Sequence, residues 1–266
     1  MADTPPQTSP TPLPRVLILG GTTEARLLGE RLAARGDLDV TLSLAGRTAS
    51  PVPHAVPLRI GGFGGSAGLA AYLVKDRIAA LIDATHPYAA IISQNAAAAA
   101  ARSRVPFMTL RRPPWTAVAG DRWTPVDGVS QAVHAIGEKP RRVFVALGRN
   151  ELDAFAGTPR HFYLIRSVDP VAPPLPLPQV CYVTARGPFD EASDRALMET
   201  HGIDVVIAKN SGGSAGYAKI AAARALGVEV ILVRRPAASA APAVETMDAA
   251  IAWLDHALTS TAARGV

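Results

Sequence analysis

The chain has a single cysteine, Cys181, in 266 residues. One thiol can build neither a disulfide framework nor a multi-cysteine zinc site, so a stapled secreted scaffold is excluded and a reducing compartment suits the chain. Cys181 opens the apolar run Cys181-Tyr182-Val183, where a small buried hydrophobe is expected rather than a nucleophile. Aromatics are scarce at 5%, while hydrophobic residues reach 48% and charged ones only 18%. That balance excludes a disordered chain and predicts an aliphatic core of the kind found where helices cover sheets. No apolar stretch reaches the length of a membrane span. The opening residues, Met-Ala-Asp-Thr-Pro-Pro-Gln-Thr-Ser-Pro-Thr-Pro, lack the basic and apolar segments of a secretory signal. Residues 1–14 are expected to be a disordered leader, and the protein to be cytoplasmic.

Runs of charge are also missing. The formal net charge is +5, yet lysines and arginines are scattered singly or in pairs. With no basic tail and no aromatic stripe, nucleic acid is a poor partner, and a small acidic ligand fits better.

What is present is alternation. Apolar runs end in glycine or a polar turn and are followed by helical spacing: Val16–Leu19 then Glu24–Ala34, Val40–Leu44, Leu58–Ile60 then Leu69–Lys75, Ala79–Asp83 then Ala89–Ser103, and Pro106–Leu110. After the prolines at 113, 114 and 125 the pattern restarts. Helices are expected at Ser130–Gly137, Glu191–His201, Tyr217–Leu226 and Thr246–Leu258. Strands are expected at Val143–Leu147, His161–Ile165, Val180–Thr184, Val205–Ala208 and Val228–Val233. Pro170–Pro178, with five prolines, reads as a surface linker. Repeated strand–turn–helix units predict an α/β protein: two parallel-sheet domains of Rossmann type facing a cleft, split near residues 115–130. Ligands then bind beyond the carboxyl ends of the strands.

The first strand end is Gly20-Gly21-Thr22-Thr23-Glu24. Glycines admit close backbone approach, and the following helix offers free N–H groups, so a phosphate is expected there. The turn is neither G-x-G-x-x-G nor a P-loop. After the second strand, Ser43-Leu-Ala-Gly46-Arg47-Thr48 lacks the acid that would receive a ribose hydroxyl. Arg47 can instead pair with a 2′-phosphate, which favours NADP over NAD. Gly61-Gly62 closes the third strand. Asp83-Ala-Thr85-His86-Pro87-Tyr88 closes the fourth, with Pro87 and Tyr88 expected to open a helix capped by Thr85. His86 and Tyr88 are candidate proton donors. In the second half, strand ends carry bases: Arg149, Arg166, Arg186, Lys209 and the pair Arg234-Arg235. Ser211-Gly212-Gly213 forms a second turn of anion-binding type. A rim of such bases suits a ligand with several carboxylates.

These landmarks, in this order, resemble the precorrin-6A reductase family (CobK/CbiJ). The matching stretches are Gly20-Gly-Thr-Thr-Glu24-Ala-Arg26, Ser43-Leu-Ala-Gly-Arg47, Gly61-Gly62, Asp83-Ala-Thr-His-Pro-Tyr-Ala89, Arg112-Pro-Pro-Trp115, Lys209-Asn-Ser-Gly-Gly213 and Arg235-Pro236. The resemblance implies NADPH-dependent hydride transfer to a C=C bond of the precorrin-6A macrocycle, giving precorrin-6B in cobalamin biosynthesis. It implies an NADP-binding domain over 15–115 and a tetrapyrrole-binding domain over 116–266; an open two-lobed monomer without a metal site is the expectation, although the sequence does not fix the oligomeric state. The expected cofactor set is Gly20, Gly21, Thr22, Thr23, Glu24, Ser43, Gly46, Arg47, Thr48, Gly61, Gly62, Thr85 and His86. The expected substrate set is Arg149, Arg186, Lys209, Asn210, Ser211, Gly212, Gly213 and Arg235. The proton comes from His86, Tyr88 or water.

Other readings compete. A cobalt-precorrin-6A reductase would use the same landmarks. A non-catalytic two-lobed anion or nucleotide sensor would explain the bases but leave Arg47 without a purpose. A short-chain dehydrogenase needs Tyr-x-x-x-Lys, and no tyrosine here has a lysine four residues on. An adenosylmethionine-dependent methyltransferase usually has an acid where Arg47 stands.

Overall fold

The computed structural model describes residues 12–46, 53–237 and 241–262. Along the chain run β1 (Arg15–Leu19), α1 (Thr23–Ala33), β2 (Asp39–Leu44), β3 (Leu58–Ile60), α2 (Gly65–Lys75), β4 (Ile78–Asp83), α3 (Ala90–Ser103) and β5 (Phe107–Leu110). Then come β6 (Trp123–Val126), α4 (Val129–Ala135), β7 (Arg142–Ala146), a 3-10 helix (Arg149–Phe155), β8 (Phe162–Ser167) and β9 (Val180–Thr184). The remainder is α5 (Glu191–Thr200), β10 (Val205–Lys209), α6 (Ala218–Leu226), β11 (Glu229–Val233), β12 (Ala243–Val244) and α7 (Met247–Ala262). The strands form two six-stranded sheets, in the orders β12-β5-β4-β1-β2-β3 and β6-β11-β10-β7-β8-β9. Every pairing is parallel, so the expectation of two Rossmann-like sheets holds.

Parallel strands covered on both faces need apolar side chains at every position. β1 meets that demand, with Val16, Leu17, Ile18 and Leu19 all buried. They split between two cores, Val16 and Ile18 facing Leu28 and Leu32 of α1, and Leu17 and Leu19 facing Leu69 and Leu73 of α2. Thr22 starts α1 by accepting a bond from the Ala25 N–H at 3.1 Å.

Three sequence expectations need correction here. First, the second domain does not run to residue 266. Residues 242–244 return to the first sheet, where the Thr109 and Arg111 N–H groups donate to the carbonyls of Pro242 and Val244, both at 2.8 Å. Helix α7 then packs Ala250 and Leu254 into the core of β1, β2 and α1. Second, the connection at Pro125 is in fact a strand, β6, at the edge of the second sheet. Proline is tolerated at an edge because no partner there requires its missing N–H. Third, Pro170–Pro178 is not merely a surface linker: Leu175 and Leu177, two residues apart, are buried in the second core. Cys181 is half-buried.

Candidate functional site

The carboxyl ends of the two sheets face one another and are stitched together. Arg112, just past β5, pairs with Glu24 in the first turn of α1, and its Nε donates to the Ser211 carbonyl at 2.7 Å. The Tyr88 hydroxyl, past β4, donates to the carbonyl of Val233 at the end of β11. Lys209 Nζ lies 4.8 Å from the Tyr88 ring centroid. Asn210 clamps Trp115 in both directions, accepting its N–H at 2.8 Å and donating to its carbonyl at 3.0 Å.

The first sheet reverses its strand order between β4 and β1, which opens a crevice. At Gly20 the space is taken by the protein itself, since a Cβ would lie 2.5 Å from Leu42 Cδ1, which would have to shift. Gly21, Gly61 and Gly62 differ. A Cβ at any of them would meet nothing within 4 Å. Gly21, just before the N-terminus of α1, and Gly61 and Gly62 beyond β3 thus leave open, backbone-lined space at the carboxyl edge of the sheet, as a dinucleotide phosphate would need. Thr22 does not offer its hydroxyl to that space, because it caps α1 and donates to the Ala84 carbonyl at 2.7 Å. Thr23 is exposed, Glu24 is taken by Arg112, Ser43 is buried, and Gly46 packs near Ile60. Arg47 and Thr48 lie outside the described residues.

At the end of β4, Asp83 is 1% exposed. Its Oδ1 accepts from the Thr85 N–H at 3.0 Å and the Thr85 hydroxyl at 2.6 Å, while its Oδ2 has no partner. Thr85 therefore does not cap the following helix. Helix α3 begins at Ala90, after an N-cap, Ala89, that makes no side-chain bond. His86 is held down to about 3, first by burial and then by the positive field of Arg112, Lys209, Arg235 and Lys219. Burial raises Tyr88 to about 12. The imidazole is thus neutral near pH 7, and the phenol proton is committed to Val233, so neither expected donor is poised to release a proton.

The second sheet reverses between β10 and β7. The expected rim of bases is only partly a rim. Arg149 and Arg186 are exposed. Lys209 pairs with Glu151 at 2.6 Å. Arg166 is buried, pairs with Asp194 of α5 and lies 3.7 Å over the Phe189 ring. Arg234 pairs with the exposed Asp127 at 2.8 Å. Arg235 donates to four backbone carbonyls, those of Asn210, Arg112, Pro113 and Ser211. The Ser211-Gly212-Gly213 turn is likewise filled by the protein: a Cβ at Gly212 would lie 2.1 Å from the Pro113 carbonyl oxygen, and one at Gly213 would lie 2.7 Å from Arg112 Cδ. Asn210, Ser211, Gly212, Gly213 and Arg235 form the joint between the sheets.

Sequence reasoning met Arg112 and Asp83 only as landmarks of the resemblance, without the roles that the hydrogen-bonded Arg112 and the unpartnered Asp83 oxygen show here, and it missed Lys219. Lys219 carries a readable signal, because it precedes the buried Ala222 and Ala223 by three and four residues on α6. Among the described residues, no helix is long and apolar enough to cross a membrane, and no group of three or more His, Cys, Asp or Glu side chains could hold a metal.

Comparison with known proteins gives a consistent result. Residues 15–255 match the family model described as "Precorrin-6x reductase CbiJ/CobK". A precorrin-6A reductase from a Sinorhizobium species is 55% identical over 249 residues, covering 94% of this chain and 95% of that protein. The Rhodobacter capsulatus precorrin-6A reductase is 48% identical, covering 92% and 98%. A cobalt-precorrin-6A reductase from Priestia megaterium is 30% identical, covering 83% and 90%. A solved structure titled "CobK precorrin-6A reductase" superposes with a TM-score of 0.89 at 47% identity, over 92% of this chain and 97% of that one.

Proposed function

This chain belongs to the precorrin-6x reductase CbiJ/CobK family, and on that premise we infer that its two sheets divide the work of an NADPH-dependent precorrin-6A reductase in cobalamin biosynthesis. The observation that carries the division is the contrast between the open glycine cradle beyond β1 and β3 and the base-bearing strand ends of the second sheet. The cradle takes the dinucleotide phosphates, and Arg47 takes the 2′-phosphate, since no acid follows β2. NADPH, when bound, supplies the hydride. The chain's own part is to hold two ligands across the cleft. Arg149, Arg186 and Lys209 face carboxylate arms of the macrocycle, while Arg112, Asn210 and Arg235 fix the distance between the sheets. The substrate we propose is the metal-free macrocycle, in line with the higher identity to precorrin-6A reductases than to the cobalt-precorrin relative. The working unit is a cytoplasmic monomer that binds neither nucleic acid nor membrane.

The test is a paired titration with NADPH and NADH, repeated on Arg47→Ala and followed by turnover of precorrin-6A. NADPH is expected to bind about tenfold or more tightly than NADH, and the substitution to erase most of that preference, about 1.4 kcal/mol. If neither nucleotide binds, the reductase reading fails and a ligand sensor takes its place.

A further inference from the structure

Reduction of a carbon–carbon double bond needs a proton as well as a hydride, and His86 and Tyr88 are poorly placed to give one. Lys219 is differently placed. It is the second residue of α6, in the turn that follows the Ser211–Gly216 loop, and it is 8% exposed. Its Nζ donates to the Gly216 carbonyl at 2.6 Å and lies 5.4 Å from the Trp115 ring centroid. Gly216 also brings the ammonium beside the Ser211 hydroxyl, since a Cβ at Gly216 would lie 3.4 Å from Nζ and 3.5 Å from Ser211 Oγ, both ordinary contacts. Among the described residues no carboxylate lies within 4.0 Å of it, whereas the other buried cation, Arg166, has Asp194. A buried ammonium without a counter-ion is costly, which gives it the mark of a group kept for use.

We propose that Lys219 is the acid that protonates the substrate carbon next to the one receiving hydride, a role that rests on the precorrin-6A reductase reading. The double bond accepts hydride at one carbon. Its π pair forms a C–H bond at the neighbour with a proton from Nζ, whose N–H bond breaks. The dihydronicotinamide is oxidised and the macrocycle reduced, and solvent reprotonates the neutral amine. The charged groups acting on Lys219 are Arg166 from β8 and Asp194 from α5, and Trp115 and Ser211 of the joint lie beside it. Burial lowers Lys219 to about 8, Arg166 adds to the effect and Asp194 opposes it. A proton donor works best with a pKa near the working pH.

The experiment compares wild type, Lys219→Arg and Lys219→Met with NADPH and precorrin-6A. Arginine keeps the charge but holds its proton too tightly to give it up. Both variants are expected to lose about 100-fold or more in kcat while the Kd for NADPH stays within about twofold. The wild-type rate should fall as pH rises through about 8, a limb absent from Lys219→Met. Independently of turnover, the Cε resonance of Lys219 in ¹³C-lysine-labelled wild type should titrate about two units below the ordinary lysine range. A Lys219→Arg variant with wild-type kcat, or with only a raised KM, overturns the role by reducing Lys219 to a carboxylate holder. Titration of that resonance in the ordinary range overturns it too, even if the variants do not fold. Wild-type protein that oxidises no NADPH with precorrin-6A overturns the reductase reading, and the role of Lys219 with it.

Discussion

Two kinds of glycine turn follow strands among the described residues, and they differ in what a side chain there would meet. Beyond β1 and β3, a Cβ at Gly21, Gly61 or Gly62 would meet nothing within 4 Å; Gly21 and Gly61 are held to glycine by φ of +114 and +113, whereas at Gly62 only the open space beside the backbone is at stake. Beyond β10, a Cβ at Gly212 would lie 2.1 Å from the Pro113 carbonyl oxygen and 2.3 Å from Arg235 Nη2. There the missing side chain leaves space for the protein itself. In sequence the two turns look alike: a strand, small residues, a helix. Only the packing separates a ligand cradle from a joint. Bases at strand ends divide in the same way. Arg186 is exposed, while Arg235 ties four carbonyls and Arg166 is sealed against Asp194.

The contrast can be broken most forcefully at the joint. Gly212 has φ +66, so Gly212→Ala combines left-handed strain with a collision against fixed backbone. It should cost about 3 kcal/mol or more, seen as a fall in Tm of roughly 10 °C. Next, Arg112→Met removes the pairing with Glu24 and the bond to Ser211, in a place where the side chains are 15% and 27% exposed. A loss of about 2 kcal/mol by denaturant unfolding is expected. An unchanged midpoint would mean that the two sheets are held by other contacts.

A third effect lies in acid. Burial and the neighbouring cations hold the native pKa of His86 to about 3, against the ordinary histidine value of 6.5. Between those values the unfolded chain takes up a proton that the native one refuses. The stabilising contribution is therefore complete above about pH 6.5 and is lost as pH falls toward 3. His86→Asn should flatten the acid limb of the stability curve by at most about 1.4 kcal/mol per pH unit. An unaltered limb would place the imidazole in water. The mildest change in stability is expected from Gly62→Ala. Gly62 has no positive φ and open space before it, so Tm should move little while NADPH binding weakens about tenfold. If Tm falls and binding holds, the cradle is packing after all.

Much of this was legible in the chain. The period of the apolar runs placed nearly every strand and helix, because strands buried on both faces must be apolar throughout. β6 escaped because Pro125 argues against a strand until its edge position is known. β12 escaped because two residues, Ala243 and Val244, carry no period, and with it went the return of α7 to the first sheet. The site was legible as a set of positions but not as a division of labour. Asn210 and Arg235 are polar groups at strand ends, and nothing local to the sequence tells whether such a group meets a ligand or a carbonyl across the joint. Lys219 needed only the spacing to Ala222 and Ala223 to be recognised as facing inward.

The most direct measurement is amide hydrogen exchange on the wild-type protein with each ligand alone. NADPH is expected to slow exchange at residues 20–24 and 61–65 and leave 148–151 and 185–187 unchanged, and a precorrin-6-type tetrapyrrole is expected to do the reverse. Protection of the second-sheet segments by NADPH, with none at the first glycine cradle, would contradict the assignment of the two crevices.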